Sequence, residues 1–528
     1  MARSQRSMKG FSEVLLTPLT SLCPACGTTA HVAYHTHRAI TKLDGGYCLH
    51  LVVRRCQRRT CPRYHQPYRP EMEGSWALPH GEFGLDVIAL IGALRFRDHR
   101  SVPEIHQHLL SRGLRIAERT VLNLLQRYEE LVAVRLADAK RLTQLLEQQG
   151  SVILAIDGLQ PDVGHEVLWI IRDCLSEEIL LARPLLSSTG GDIVMLLREV
   201  ENQLPVPVRA IISDGQETIR EAVAFVFPDI AHQLCQFHYL RDAAMPIFEA
   251  DRHAKTVLKK HVRGIRPIER ALEARTDGEA EAIRDYCLAV RSALTDDGHP
   301  PLCADGLRLH DRLQQIHDSI QRVEKKGALP PSLHELYRLL KRGLQKTEVL
   351  WAPIEQAYHW VHRAVHILNN HENGSATQVR VQYDALLQEM ADHKATVGSL
   401  ASAIEQFLKV TASFAPGLFH CYDLADLPRT NNDLEQCFGA VRHHERRATG
   451  RRGAIPGLVV RGSVRVVAAL ATRLHHYTAE ELCLWDYHLW RQVRERLTYR
   501  EEARRRQFRF RKDPLVYLAQ IEARLLQT

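Results

Sequence analysis

Two aspartates that follow apolar runs are the residues best placed for metal chemistry. Asp157 comes after residues 151–156 and Asp214 after residues 208–213, and a glycine follows each of them. Carboxylate oxygens are the ligands that Mg²⁺ prefers, and two such ions can clamp the attacking and leaving oxygens of a phosphoryl transfer. A single aspartate at a strand end is weak support, because many strands leave a sheet through polar turns. Two of them, on the first and fourth strands of one unit, favour a two-metal site.

The segment around these aspartates has the pattern of an α/β sheet. Between residues 151 and 238, short β-branched runs alternate with helical stretches. Residues 167–171 and 179–181 are expected to form the next two strands of a meander. Gly190 and Gly191 are expected to begin a helix, and residues 208–212 to form a further strand. Such a sheet presents both carboxylates at strand ends.

Four cysteines near the amino end have the spacing of a metal site. Cys23 and Cys26 form a CxxC pair, and Cys56 and Cys61 follow a segment that we expect to be a β-hairpin turning at residues 44–46. Cysteine pairs on loops at either end of a hairpin can close a tetrahedral Cys₄ zinc site. We therefore predict a zinc-ribbon-like module.

The ligand set of this module stays open at two positions. Cys56 and Cys61 have four residues between them, which is at the loose end of ligand spacing. His65 can replace Cys61, and Cys48 lies on the hairpin itself. The alternative to zinc is a set of unrelated buried thiols, and the paired spacing with its intervening hairpin favours zinc.

Residues 101–129 have the pattern of two short helices about a glycine turn. Ser101 is a good N-cap for the first helix, and Gly113 is a natural stop. Such a pair matches the DNA-reading helix-turn-helix, although an ordinary helical hairpin has the same pattern. The basic chain around it favours DNA binding. The polar residues of the second helix that we expect to reach DNA are Arg119, Asn123 and Arg127.

Length, composition and charge indicate a soluble, multidomain protein. The chain has 528 residues, of which 45% are hydrophobic and 25% charged, and this excludes a largely disordered chain. The formal net charge is +8. Its basic residues cluster within residues 54–63, 442–452 and 504–512, and separate clusters suit a polyanion that passes several domains. A solvated helix face accounts for part of the last cluster.

Nothing in the sequence indicates a membrane protein or a secreted one. No run approaches the ~18 apolar residues of a membrane span, and the apolar run near the amino end is short and interrupted by Pro18. Twelve cysteines in such a chain point to metal sites or lone thiols in a reducing compartment. We expect a cytoplasmic, nucleoid-associated protein without a membrane partner.

Two further segments resemble motifs of a known enzyme family. Cys235 and His238 match the C/DxxH motif that Mutator-like and related bacterial insertion-sequence transposases carry after their second aspartate. Those enzymes carry a DDE triad on an RNase H-like fold. The resemblance covers roughly residues 150–460 and, more loosely, the zinc and helix-turn-helix portion. It implies that Asp157 and Asp214 are the first two acids, with Cys235 and His238 in a supporting role.

The third acid of the triad is implied by a later segment. Residues 431–435 resemble the family's N-N-x-x-E motif with its trailing basic residues, so the third role falls on Glu435. Asp433 is the nearest competitor, and a charge at a helix N-terminus accounts for it. The trailing basic residues can meet phosphates next to the scissile bond. They are Arg442, Arg446, Arg447, Arg451 and Arg452.

The predicted fold class is multidomain α/β plus α. We expect a zinc-binding module (1–75), a helix-turn-helix domain (81–135), the first part of an RNase H-like core (150–238), a large all-helical insertion (239–425), the final catalytic helix of that core (426–460) and a basic helical region (461–528). The stretch before Glu435 is far too long for a loop. Trp351, Tyr358 and Trp360 within it are more typical of core packing than of base stacking.

The resemblance implies a DNA transposase that binds terminal inverted repeats and catalyses strand cleavage and strand transfer. Asp157, Asp214 and Glu435 would hold Mg²⁺ or Mn²⁺. The implied partners are transposon ends and target DNA, bound by a homodimer or higher oligomer. Two alternatives stay open: a catalytically silent, transposase-derived DNA-binding protein, and a metal-dependent nuclease without strand transfer.

Overall fold

The structure, a computed structural model, describes residues 10–160, 166–295, 302–450, 456–484 and 487–526. Over these ranges the protein is mixed α/β and mainly helical, with two sheets. This confirms the predicted combination of α/β and helical parts. No helix in the described ranges is long and apolar enough to cross a membrane.

The amino-terminal module is a small mixed sheet. Its strands in the described residues are β1 (Ser12–Leu16), β2 (His31–Thr41), β3 (Gly46–Arg55) and β4 (Pro67–Tyr68). Strands β2 and β3 pair antiparallel, which confirms the predicted hairpin, and β1 pairs parallel with β3. One face covers a small apolar core around Ile40, Leu49 and Leu51.

Helices follow this sheet. They are α1 (Glu73–Trp76), α2 (Leu85–Phe96), α3 (Val102–Ser111), α4 (Glu118–Leu136) and α5 (Ala139–Gln149). Ser101 caps α3 as predicted: its side chain accepts from the Glu104 N–H, and the Glu104 carboxylate accepts in return from the Ser101 N–H. Gly113 ends the α3 turn with a φ of +82°, a conformation that favours glycine. At 19 residues, α4 is longer than the short second helix that the sequence pattern suggests.

The second sheet contains the two aspartates. Its strands are β5 (Val152–Leu159), β6 (Val167–Asp173), β7 (Ile179–Leu185), β8 (Val208–Ser213) and β9 (Ala231–Leu234), in the order β7-β6-β5-β8-β9 along the described sheet. Strands β6 and β7 pair antiparallel, whereas β8 and β9 pair parallel. Helix α6 (Gly190–Gln203) connects β7 to β8, and α7 (Glu217–Val226) connects β8 to β9. The strands expected from the sequence are present, each somewhat longer than its apolar run.

The stretch between β9 and Asn432 is helical throughout its described part. Its helices are α8 (Gln236–His261), α9 (Ile265–Ala271), α10 (Gly278–Leu294), α11 (Asp305–Glu324), α12 (Pro331–Asn369), α13 (Ala376–His393) and α14 (Ala401–Phe414), with short 3₁₀ turns at Lys394–Leu400, Ala415–Gly417 and His420–Tyr422. One continuous apolar core joins them. Trp351, Tyr358 and Trp360 are buried in that core.

In the described residues after Asn431, four more helices follow. They are α15 (Asn432–Thr449), α16 (Pro456–Leu474), α17 (His488–Lys512) and α18 (Pro514–Leu526). By its contacts the chain divides into two compact units. The first comprises the described parts of residues 1–152, 156–207 and 433–528, and the second those of residues 153–155 and 208–432.

The interior of the first unit contains a group of charged side chains, which we call the charge cluster. It has three carboxylates and three guanidinium groups, none more than 6% exposed. They come from α2, α4, α15 and α16 and are Arg95, Glu129, Glu130, Glu445, Arg461 and Arg465.

Glu129 pairs through both of its carboxylate oxygens with two arginines of the cluster. Its two carboxylate oxygens lie 2.7 Å from Arg461 Nε and 2.8 Å from Arg465 Nε. Arg465 also lies 3.4 Å from Glu445, and Arg95 lies 3.5 Å from the same carboxylate. Burial by itself raises the pKa of Glu129, but Arg465 and Arg461 outweigh that effect and hold the pKa below its ordinary value. Glu129 therefore stays ionised at neutral pH.

We expect Glu129→Ala to destabilise the protein strongly. Removing one partner of a buried ion pair leaves uncompensated charge, which typically costs about 3–5 kcal/mol. The control is Glu147→Ala on α5, because Glu147 is exposed. Urea unfolding followed by circular dichroism at pH 7 measures both changes, and equal small losses would contradict the prediction.

The same carboxylate should contribute to acid sensitivity. The pKa of Glu129 is lower in the folded protein than in the unfolded chain. Its stabilisation is therefore complete above its ordinary pKa of about 4.3 and is lost as the pH falls through the folded value.

Candidate functional site

The four predicted cysteines form a compact cluster at one end of the β2–β3 hairpin. Their sulfur atoms all lie within 4.8 Å of one another. Cys23 Sγ lies 3.8 Å from Cys61 Sγ, and Cys26 Sγ lies 3.6 Å from Cys56 Sγ. Four sulfurs placed about 2.3 Å from a tetrahedral zinc ion would be separated by about 3.8 Å. The cluster could therefore bind zinc.

Two tight turns bring the thiols together. In the first, the Gly27 N–H donates to the Cys23 carbonyl at 2.9 Å, and Gly27 adopts a φ of +68°. In the second, the Arg63 N–H donates to Cys61 Sγ at 3.3 Å. Backbone N–H groups that point at sulfur favour the thiolate, which is the form that binds metal.

The structure also separates the cluster from the two alternative ligands. Cys48 lies in β3 and is buried in the strand, apart from the four-cysteine group. His65 is exposed, and its ring stacks on Tyr64 with centroids 4.2 Å apart. Among the described residues, neither belongs to the metal-competent group.

The cysteine environments are unequal in the absence of a cation. Hydrogen bonding to Thr28 lowers the pKa of Cys26 to about 6, whereas burial raises the pKa of Cys61 to about 12. A divalent cation among the four sulfurs would favour the thiolate at each. Metal affinity should therefore fall steeply as the pH falls.

We expect the full chain to contain about one zinc ion, because these four thiols match a closed structural site. Cys56→Ser should lose most of that zinc and lower the melting temperature. Cys48→Ser, which changes a buried thiol of the same sheet outside the cluster, should keep it. Elemental analysis of protein purified under reducing conditions measures the zinc content. Equal zinc content in the two variants, or none in the wild type, would contradict the assignment.

The two aspartates lie on neighbouring strands of the second sheet. Asp157 is inside β5, which continues to Leu159 instead of ending before the aspartate as the apolar run suggests. It is 8% exposed, and its Oδ1 accepts from the Gly158 N–H at 2.7 Å. Asp214 directly follows β8, and its Oδ1 accepts from the Gln216 N–H at 3.0 Å.

The backbone conformation of Gly215 explains why a glycine follows the second aspartate. Its φ is +87°, a conformation that L side chains rarely adopt. A Cβ at this position would also lie 2.5 Å from the Phe414 ring. A glycine is therefore required after Asp214, because the chain turns sharply there beneath the Phe414 ring.

Charged and polar groups of the second unit surround Asp214. Burial raises the pKa of its carboxyl, and the Gln216 N–H, His238 and Arg241 oppose that shift in part. His232 lies on the adjacent strand and shares a 2.8 Å hydrogen bond with Ser213 Oγ. Burial lowers the pKa of His232 to about 4, so its ring is neutral at pH 7.

Cys235 joins the C/DxxH segment to the start of the later N-N-x-x-E segment. Its backbone N–H donates to the Ser213 carbonyl at 2.8 Å, and its buried Sγ accepts from the Asn431 N–H at 3.2 Å. The Gln236 N–H donates to the Arg429 carbonyl at 3.0 Å. Sequence reasoning missed these partners, although the apolar setting of a lone thiol at a strand end signals a structural contact.

Glu435 lies in the first turn of α15, as does Asp433. The side chains of both lie outside the described residues. Arg442, Arg446 and Arg447 of the same helix are exposed, and Arg451 and Arg452 also lie outside the described residues.

The second helix of the predicted helix-turn-helix presents two of its three named residues to solvent. Arg119 and Asn123 on α4 are exposed. Arg127 is instead ion-paired with the buried carboxylate of Glu130, which also accepts from Trp490 Nε1 at 3.0 Å. Arg127 is thus tied to the charge cluster.

Comparison with protein-family models and with curated proteins finds no match to this chain.

Proposed function

We propose that this protein is a DNA transposase in which Asp157, Asp214 and Glu435 form a DDE site for divalent metal ions. The observation that carries the proposal is that Asp157 lies on β5 and Asp214 directly follows β8, and that β5 and β8 are neighbours in one sheet. The resemblance of residues 431–435 to the N-N-x-x-E motif supplies the third acid.

The topology of the sheet supports an RNase H-like core. Counted along the chain, its strands lie in the order 3-2-1-4-5. The second and third strands are antiparallel, and the fourth and fifth are parallel with a helix between them. This is the arrangement expected of an RNase H-like fold, with the two aspartates on its first and fourth strands.

The donor set fits magnesium or manganese. All three acids offer carboxylate oxygen, which hard cations prefer over nitrogen or sulfur. When bound, such ions polarise the phosphoryl group and stabilise charge on the attacking and leaving oxygens. The protein's own part is to hold the carboxylates: the Gly158 N–H orients Asp157, and the Gln216 N–H orients Asp214.

The remaining features supply DNA-binding groups. Arg119 and Asn123 are exposed on α4, where a recognition helix would present them. The exposed arginines of α15 lie within about three and a half turns of Glu435 on the same helix. We propose transposon ends and target DNA as the partners, a homodimer or higher oligomer as the bound form, and the cytoplasmic nucleoid as the place of action.

Arg119→Ala and Asn123→Ala should weaken binding to the element's terminal repeat more than binding to random DNA. Direct contacts with base edges contribute about 1–3 kcal/mol each. Lys140→Ala is the control, since Lys140 is exposed on α5 outside the proposed reading helix. Gel-shift titrations on both DNAs test this. Equal losses of affinity for the two DNAs would show that these residues contact only phosphates.

Asp157→Asn, Asp214→Asn and Glu435→Gln should each abolish end cleavage and strand transfer. These changes keep side-chain volume and remove the charge that holds the metal ions. Because burial raises the pKa of Asp214, its charge is unfavourable to folding at pH 7, and Asp214→Asn should leave the melting temperature unchanged or raised. Asp433→Asn is the matched control and should be mild.

The measurement is an end-cleavage assay in Mg²⁺ or Mn²⁺ beside a gel-shift on the same DNA. Wild-type protein that binds ends but cuts in neither metal would favour the silent DNA-binding protein. Cleavage without strand transfer would favour the nuclease. Activity kept in Glu435→Gln but lost in Asp433→Asn would move the third ligand by two residues.

A further inference from the structure

The carboxyl-terminal part of α17 is strongly basic and exposed. Residues 503–512 include six basic residues and no acidic one. Every residue from 505 to 512 is exposed. By contrast, Arg461 and Arg465 on the preceding helix are buried among carboxylates. The charge of the α17 end is therefore available to an external partner.

The neighbouring helix α18 covers only one side of this segment. Phe510 of α17 meets Tyr517 of α18 with ring centroids 5.8 Å apart. At 3.6 residues per turn, Arg505 and Lys512 lie about 140° and 160° around the helix from Phe510, and Arg509 lies about 100° from it. We call these three residues, with Phe508 at one edge of the set, the outer face of α17.

Local carboxylates neutralise little of the outer face. Arg505 lies 3.8 Å from Glu501, and its own side chain is largely exposed, so this pair is weak. In the described part of the chain, no carboxylate forms an ion pair with Arg509 or Lys512. Arg504 lies over the Phe508 ring at 5.1 Å, which adds a further cation beside the face.

We propose that the outer face of α17 binds DNA through its phosphates, independently of base sequence. Arg505 and Lys512 are seven residues apart, which is about 10 Å along a helix. Successive phosphates of one strand advance about 3.4 Å along the duplex axis, so this span matches about three of them. This surface is separate from α4 and α15, and it rests on the proposed function only in taking DNA as the polyanion.

A lipid surface fits the same helices less well. An amphipathic helix that binds a membrane inserts an apolar face while its basic residues lie beside the headgroups. The exposed aliphatic side chains here are on α18 and include Leu515, Leu518 and Leu525, whereas α17 contributes the exposed rings of Phe508 and Phe510. The outer face of α17 points away from α18, so one flat surface cannot meet both.

The test uses the full chain with Arg505→Gln, Arg509→Gln and Lys512→Gln combined. Binding to a random-sequence duplex is measured by fluorescence anisotropy over a range of salt concentrations. Each phosphate contact contributes about 0.9 to the slope of log affinity against log salt, so the slope should fall by about 2–3 and affinity near 0.1 M salt by at least about tenfold. Arg322→Gln, Lys325→Gln and Lys326→Gln remove the same charge from exposed positions in the second unit and should change affinity less than about twofold.

Two further variants guard against a folding defect. Arg505→Lys with Arg509→Lys keeps both charges and should bind nearly as the wild type does. Lys512→Gln alone should lower the salt slope by about 0.9. An equal loss in the Arg322/Lys325/Lys326 control would show a general charge effect and overturn the proposal. The proposal would also be overturned if the Arg505/Arg509/Lys512 variant bound DNA as the wild type does but lost binding to phosphatidylserine-containing vesicles.

The outcome is independent of catalysis. If the wild type never cleaves DNA but the triple variant loses duplex binding, the outer face is supported while the transposase proposal fails. If the wild type cleaves and the triple variant binds duplex normally, the outer face fails alone.

Discussion

The need to keep buried charges paired is the constraint on which the first unit depends. Glu129, Glu445 and Arg465 are removed from water, so separating them would leave charge in a medium that solvates it poorly. Glu129 lies on the helix that carries the proposed DNA-reading residues, and Glu445 lies ten residues after Glu435 on α15. The paired charges therefore hold helices α2, α4, α15 and α16 together in one packed group. A buried ionic cluster adds little net stability compared with apolar packing, but leaving any one of its charges without a partner is strongly unfavourable.

The cysteine cluster applies a similar constraint on a smaller scale. The amino-terminal sheet has a small apolar core, which is seldom enough to stabilise so small a module alone. The four cysteines flank the two strands of the long β2–β3 hairpin, and their sulfur atoms lie close together at its open end. A metal ion there would supply stabilisation that the core does not.

In the second unit, backbone hydrogen bonds connect motifs that are far apart in sequence. The Asn431 N–H donates to Cys235 Sγ across 196 residues, and the Cys235 N–H donates to the strand end just before Asp214. The helical stretch between Cys235 and Asn431 has its own continuous core. It can therefore fold as a body of its own while its two ends remain side by side at the sheet. This explains physically how a chain can carry a long insertion between two parts of one candidate site.

The sequence alone determined the features that depend on local patterns. These are the hairpin, the cysteine pairs, the strands around Asp157 and Asp214, the Ser101 cap and the helical character of the long insertion, because periodicity, turn chemistry and ligand spacing are all local. Only the tertiary structure decided which charged residues are internal. Arg127, Arg461 and Arg465 look like any other basic residues in the sequence, yet they pair with buried carboxylates, whereas Arg509 and Lys512 remain exposed. A side chain's type sets its charge, but its partners come from elements hundreds of residues away, and the packing of those elements decides whether that charge faces water or a carboxylate.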